Sequence, residues 1–445
     1  MEGLPILQKN AYLSVLIKDN GLYANLAYTD YSSDTVYILH DYTDLYPLNR
    51  KLDDHIFCAK FWEEYFNSLE NEWDWDIVER EGKVFFKFLD FQEEFSGING
   101  IKVLIDDNQK FFRNIYDSLK DFSNGIAIRV VDDTYIKELF GLLSGKLQYN
   151  DILLLDLDLP EFSAYRYRKG EFTKGMISWG NDTGQVDSIK NAKVHALMSA
   201  DISIDEIMNK FANFTLRPHR LVNDPVLADI LRSFCTVQNL TIYNENKKKL
   251  FGVGWQENET AVFVTGRLME SMPFEDVLLS VIDGFELLGD FDLYIDKKGL
   301  IYSYGRSISL GRGAYDVILG KQEVLPKAVK VYLPELHPRK SKNKVVFQGS
   351  FSSIGFDRED VFSINPEVSI FKIPDTDEKV VFDGKLVNGA ETVNGNTSKL
   401  AFVSSRESVL YDSVVVDSRI KPVVYGPDVY ANRNKLKEWF DESQR

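Results

Sequence analysis

The residues best suited to chemistry stand at the end of an apolar run. The stretch Asp151-Ile-Leu-Leu-Leu-Asp156-Leu-Asp158-Leu-Pro160-Glu161 closes on three carboxylates, Asp156, Asp158 and Glu161. Ile152 to Leu155 is unbroken apolar sequence, as expected of a strand buried on both faces. A buried strand ending in Asp-x-Asp presents its carboxylates where open α/β sheets bind ligands. Carboxylates there hold a metal ion, or they are simply solvated groups at a strand end. Asp19-Asn20-Gly21 is a hairpin-turn signal, and Thr265-Gly266 reads as a turn from a strand into a helix. His40, His55, His195, His219 and His337 are scattered without ligand spacing. Cys58 and Cys235 are too few for a disulfide framework or a four-thiolate zinc site. No nucleophile with an adjacent base is visible.

Elements that would position these residues follow from the pattern. Tyr12–Ile17, Leu22–Tyr28 and Thr35–Leu39 are expected strands, and 57–69 has apolar residues at helical spacing. Lys83-Val-Phe-Phe-Lys-Phe-Leu alternates, and the aromatic residues around Trp73 and Trp75 suit a satellite core. Ile101–Ile105 and Ile126–Val131 are strands, and helices are expected over 108–122 and 134–143. Then the order repeats. Ile152–Leu157, Phe162–Arg168 and Phe172–Trp179 form a meander, with Lys169-Gly170 as a turn. Helices are expected at 194–199, 202–214, 225–235 and 274–288, with strands at 260–265 and 291–295.

Beyond Gly320 alternating apolar runs are separated by Pro, Gly, Asn and Asp, which predicts a β-rich region. Arg339 to Lys344 reads there as a solvated hairpin loop, and 432–440 as a closing helix with Leu436, Trp439 and Phe440 on its buried face. The expected division is 1–148, 149–322 and 323–445.

The net charge of −16 argues against nucleic acid and against an anionic membrane surface as partner. No apolar run is long enough to span a bilayer, and the start of the chain lacks signal-peptide character. A cytoplasmic protein with an unspecified oligomeric state is expected.

Two tandem meander-plus-α/β halves resemble the actin-like ATPase superfamily, which includes actin, heat-shock chaperones and sugar kinases. The fold class expected is therefore α/β, a two-lobed actin-like (duplicated ribonuclease H-like) fold with a C-terminal β-rich domain. Val262-Phe-Val-Thr265-Gly266-Arg267 resembles the adenosine-contacting turn of that superfamily. Asp156-Leu-Asp158 and Asp19-Asn20-Gly21 are placed like its second and first phosphate motifs. Val264–Leu268, Leu279–Asp296 and Ser413–Pro427 look like the accessory protein of glutamate (methylaspartate) mutase. Tyr12–Ile17 looks like pilus-assembly actin-like proteins.

The resemblance implies ATP with Mg²⁺. Gly21, Asp158, Thr265 and Gly266 would contact the cofactor, and Asp19 and Asp156 would hold the metal and position the attacking water. The departures point the other way. Active members follow the phosphate-motif Asp with Gly and Thr or Ser, whose donors hold phosphates. Here Leu157, Asp158, Leu159, Pro160 and Glu161 follow, and Arg267 replaces a second Gly. The leading expectation is a degenerate scaffold or accessory protein that binds a protein partner, without catalysis and without a cofactor. The alternatives are an ATPase that remodels a partner enzyme, and a cytoplasmic platform for pilus or envelope assembly.

Overall fold

The computed structural model describes strand backbones between 10 and 131. It also describes, apart from a few positions, residues 134–178, 189–216, 224–251, 260–297, 327–353, 356–373, 379–392, 399–404, 411–419 and 428–436, and the single positions 60, 64, 301 and 409. Contacts divide the chain into two units, 1–142 with 299–324 and 143–298 with 325–445.

In the first unit the strands are β1 (Asn10–Lys18), β2 (Gly21–Asp30), β3 (Thr35–Asp44), β4 (Trp75–Arg80), β5 (Lys83–Phe88), β6 (Glu93–Phe95), β7 (Ile98–Ile105) and β8 (Ile128–Val131). β1, β2, β3, β7 and β8 form a sheet in the order β3-β2-β1-β7-β8. β1 runs antiparallel to β2 and parallel to β7, and β7 is parallel to β8. β4, β5 and β6 make a small sheet of their own. Of the expected helix over 57–69, Lys60 and Glu64 are described; both are helical and form an exposed ion pair at 3.4 Å. Trp73 and the expected helix over 108–122 lie outside the described residues.

The second unit repeats the order. β9 (Asp151–Leu157), β10 (Glu161–Arg168) and β11 (Glu171–Ser178) form the meander, and β12 (Thr260–Thr265) and β13 (Gly289–Asp296) lie parallel beside β9. The order β11-β10-β9-β12-β13 matches the first sheet strand for strand in position and direction. β9 is interior, as its apolar run requires, and every residue of it is buried. Lys169 and Gly170 take φ of 50° and 85°, the left-handed pair that a two-residue hairpin turn needs.

The C-terminal strands differ from the expected separate domain. β14 (Ala328–Leu333) pairs antiparallel with β13, β22 (Tyr411–Asp417) pairs parallel with β14, and β18 (Val368–Lys372) closes that edge. Three tail strands thus continue the second sheet to eight strands. The cause is the edge problem. β13 would otherwise leave a row of main-chain groups unpaired beside a buried core. The remaining tail strands, β16 (Phe347–Ser353), β17 (Phe356–Ile364), β19 (Val380–Leu386) and β21 (Lys399–Ser404), make a four-stranded sheet, while β15 (Glu335–Leu336) and β20 (Ala390–Glu391) pair separately.

Side-chain alternation assigns the two faces of β14 and β22. Val329, Val331, Leu333 and Val415 join the core under the helices. Tyr332, Val414 and Val416 join Phe347, Phe351 and Phe382 of the four-stranded sheet.

Helices Ile204–Leu216, Pro225–Asn246 and Phe274–Gly284 cover one face of the large sheet. Asp224 caps the long helix by accepting from Val226 N and Leu227 N at 3.0 and 3.2 Å, with Pro225 at the first helical position. That helix runs eleven residues beyond the expected end at Cys235. Thr236 and Thr241 donate back to Arg232 O and Val237 O at 2.8 Å each. Polar residues that look like a helix end are therefore absorbed within the helix. Gly284 lets it cross the helix Phe274–Gly284 closely, since a Cβ there would stand 2.5 Å from Asn239 Cβ.

The basic run is not a hairpin loop. Pro338–Ser341 is a helical turn in which His337 O accepts from Lys340 N and Ser341 N. In the closing helix Leu436 is buried, Arg433 bonds Asp201, and Arg433 Nη2 stands 3.2 Å from His195 Nε2. Trp439 and Phe440 lie outside the described residues.

Candidate functional site at the ends of β9, β12 and β13

The parallel register brings one row of polar side chains together. Asp156 on β9 pairs with Thr265 on β12, and Thr265 pairs with Asp296 on β13. Register partners in adjacent parallel strands share a face about 4.8 Å apart. All three are buried, at 7, 0 and 2 % exposure respectively. Thr265 Oγ1 lies 3.3 Å from Asp296 O and 3.5 Å from Asp296 Oδ2. Asp158, two residues beyond Asp156, is also buried, and its Oδ1 accepts from Leu159 N at 2.9 Å. Glu161 Oε1 accepts from Ser163 Oγ at 2.6 Å and stands 3.9 Å from Lys174 Nζ.

Gly266 leaves β12 with φ 110° and ψ 160°, a region open essentially only to glycine. A Cβ there would lie 2.6 Å from both the carbonyl carbon and oxygen of Leu157. The backbone after Asp156 therefore packs directly on the glycine, and this contact alone requires Gly at 266.

Asp156, Asp158, Thr265 and Gly266 thus meet at one strand end. Gly21 opens β2 and pairs with Lys18 in the first unit, and Asp19 lies outside the described residues. Asp296, the last residue of β13, was missed by sequence reasoning. Among the described residues no group of three acidic, His or Cys side chains converges as a metal site.

Two buried ion clusters brace the surrounding helices. Arg419 donates from Nε and Nη2 to Asp417, both at 2.8 Å, and from Nη2 and Nη1 to Asp283 at 2.8 and 3.2 Å. Arg232 Nη2 bonds Asp229 Oδ1 at 2.5 Å and Leu197 O at 2.7 Å, and its Nε lies 3.4 Å from Asp276. Asp229 in turn accepts from Ser199 N and Ala200 N.

Burial pushes the Asp276 carboxyl up to about 6 despite the opposing Arg232 charge; Asp229 and Glu275 add to the rise. A carboxyl raised in the folded state binds its proton more tightly there than when unfolded. Stability is then greatest below the unfolded value and falls as pH rises through about 6. Asp276→Asn should flatten that segment of a urea-stability profile. An unchanged slope would contradict the assignment.

Two sets of five strands identical in order and direction, each a meander followed by two parallel strands, define a duplicated ribonuclease H-like α/β protein of the actin-like layout. No family model matches the sequence, and no curated protein does either. Among solved structures, the chain is similar to the ethanolamine utilization protein EutJ from Carboxydothermus hydrogenoformans, at TM-score 0.39 and 11% identity over 69% of this chain and 92% of that one. A Ppx/GppA phosphatase from Aquifex aeolicus gives TM-score 0.29 and 9% identity over 58% of this chain and 67% of that one. An exopolyphosphatase from Cytophaga hutchinsonii gives 0.28 and 12% over 57% and 66%. At these values no residue role or activity transfers to this chain.

Proposed function

We propose that this chain is a degenerate actin-like scaffold or accessory protein: it binds a partner protein, and nucleotide binding at the ends of β9 and β12 is weak or lost. The turn after β9 carries this reading. A phosphate-binding turn offers its backbone N–H groups to the ligand. Here the Leu159 N–H is held by the Asp158 carboxylate at 2.9 Å. Asp156 and Asp296 add carboxylates to the same strand-end row, so a polyphosphate would meet like charge where donors are needed.

A second reading, an ATPase that remodels a partner enzyme, is favoured by the placement of Asp156 directly beside Thr265-Gly266. In that case Asp156 would hold Mg²⁺, whose charge would offset the phosphates.

Phosphate release from Mg-ATP separates the two. The degenerate reading expects no release above the protein-free rate. Turnover that disappears in Asp156→Ala would establish the ATPase instead.

A further inference from the structure

The closing helix is helical from 430 to 436 among the described residues. Asp428 caps it, with Oδ1 accepting from Tyr430 N and Ala431 N at 3.0 and 3.2 Å. Its one inward charge is Arg433, which is buried at 8 % exposure. Among the described residues that guanidinium has two partners, the carboxylate of Asp201 and the ring of His195. Arg433 Nε has no hydrogen-bond partner there.

An arginine side chain only donates. His195 Nε2, 3.2 Å from Arg433 Nη2, is therefore the acceptor, and the ring is neutral with its proton on Nδ1. A proton on Nε2 removes that acceptor and sets an imidazolium against the buried guanidinium. Arg433 then keeps one counter-charge, and the side chain of Asp201 is 88 % exposed, where an ion pair holds little.

The surrounding charges do not offset this. On the short helix Ala192–Ala196, Lys193 is exposed two residues before His195. On the long helix, Asp229 and Arg232 bond each other and hold the segment just after His195, through Ser199 N, Ala200 N and Leu197 O. Asp276 touches Arg232 in turn. Asp205 and Glu206 are exposed in the first turn of Ile204–Leu216, and Lys435 is exposed on the closing helix. Among the described residues no carboxylate pairs with His195.

We propose that His195 and Arg433 form a pH-sensitive clasp, which holds the closing helix in place while the imidazole is neutral and releases it in acid. Histidine is the side chain whose charge ordinarily changes between about pH 5 and 8. Protonation and docking compete for Nε2, so the docked helix is favoured at the upper end of that range and lost as the pH falls. Release uncovers Leu436, which is 1 % exposed when docked, so acid presents an apolar face of this helix. The clasp is independent of both readings of the strand-end turn.

The test is hydrogen exchange of the full chain, read by mass spectrometry on the fragment carrying 430–436 and corrected for the intrinsic pH dependence of exchange. Protection there should fall by about tenfold or more between about pH 8 and about pH 5. His195→Gln, whose side-chain oxygen can accept from Arg433 but never becomes charged, should stay protected at both. Arg433→Met removes the opposing cation and should abolish the pH dependence, whatever its level of protection. Wild-type protection that is the same at both values would overturn the proposal. A fall that persists in His195→Gln or in Arg433→Met would also overturn it, since the titrating group would then be another, such as Asp276.

Discussion

Arg419→Ala is expected to destabilise the second unit by about 4 kcal/mol, the range found when one partner of a buried ion cluster is removed. Arg419 is 4 % exposed and bonds two carboxylates, with Asp417 at 0 %. Burial works against its charge, but Asp283 and Asp417 more than offset that and hold it charged. Without the guanidinium, both acids are left buried beside each other. Arg419→Lys should recover only part of the loss, because a single ammonium cannot serve two carboxylates from a planar fork. Neutralising the acids as well, in Arg419→Met with Asp283→Asn and Asp417→Asn, should be milder than Arg419→Ala alone. Urea denaturation reads all three. A loss below about 1 kcal/mol for Arg419→Ala would show that the cluster is not what ties β22 to the helix Phe274–Gly284.

Gly266→Ala is expected to cost about 3 kcal/mol or more. Its φ of 110° with ψ of 160° is one charge against any side chain. The other is the Leu157 backbone at 2.6 Å, which cannot move aside as a flexible side chain would. The β9 turn and the β12 exit should loosen together in this variant. Thermal melting and urea unfolding should both show it, and wild-type stability would mean that the two backbones do not touch as described.

Much of the architecture was legible because its signals are local. The apolar run Ile152–Leu155 announced an interior strand, and Lys169-Gly170 announced its hairpin turn. Repetition of the meander in two halves was visible as element order, and the two sheets carry that repetition into strand direction. What escaped the sequence was pairing at a distance. Nothing in Val329–Leu333 or Ser413–Asp417 states that these runs continue the sheet of β13 rather than build one of their own. Likewise, Gly266 reads as a turn residue, while its neighbour Leu157 is more than a hundred positions away. The self-bonded turn at Asp158 was half visible. The carboxylate was plain, but its hold on the Leu159 N–H is a matter of side-chain geometry.

The central claim concerns nucleotide, and isothermal titration of the wild-type chain with Mg-ATP tests it most directly. ATP brings about four negative charges, and each unrelieved like-charge contact at ~4 Å costs about 1 kcal/mol in water and more where water is excluded. Asp156, Asp158 and Glu161 stand around the turn, Pro160 has no N–H to offer, and the Leu159 donor is already held. The account predicts no measurable heat of binding at millimolar nucleotide with the protein folded. Micromolar affinity that is lost in Asp156→Ala would contradict it and make this strand end a working ATP site.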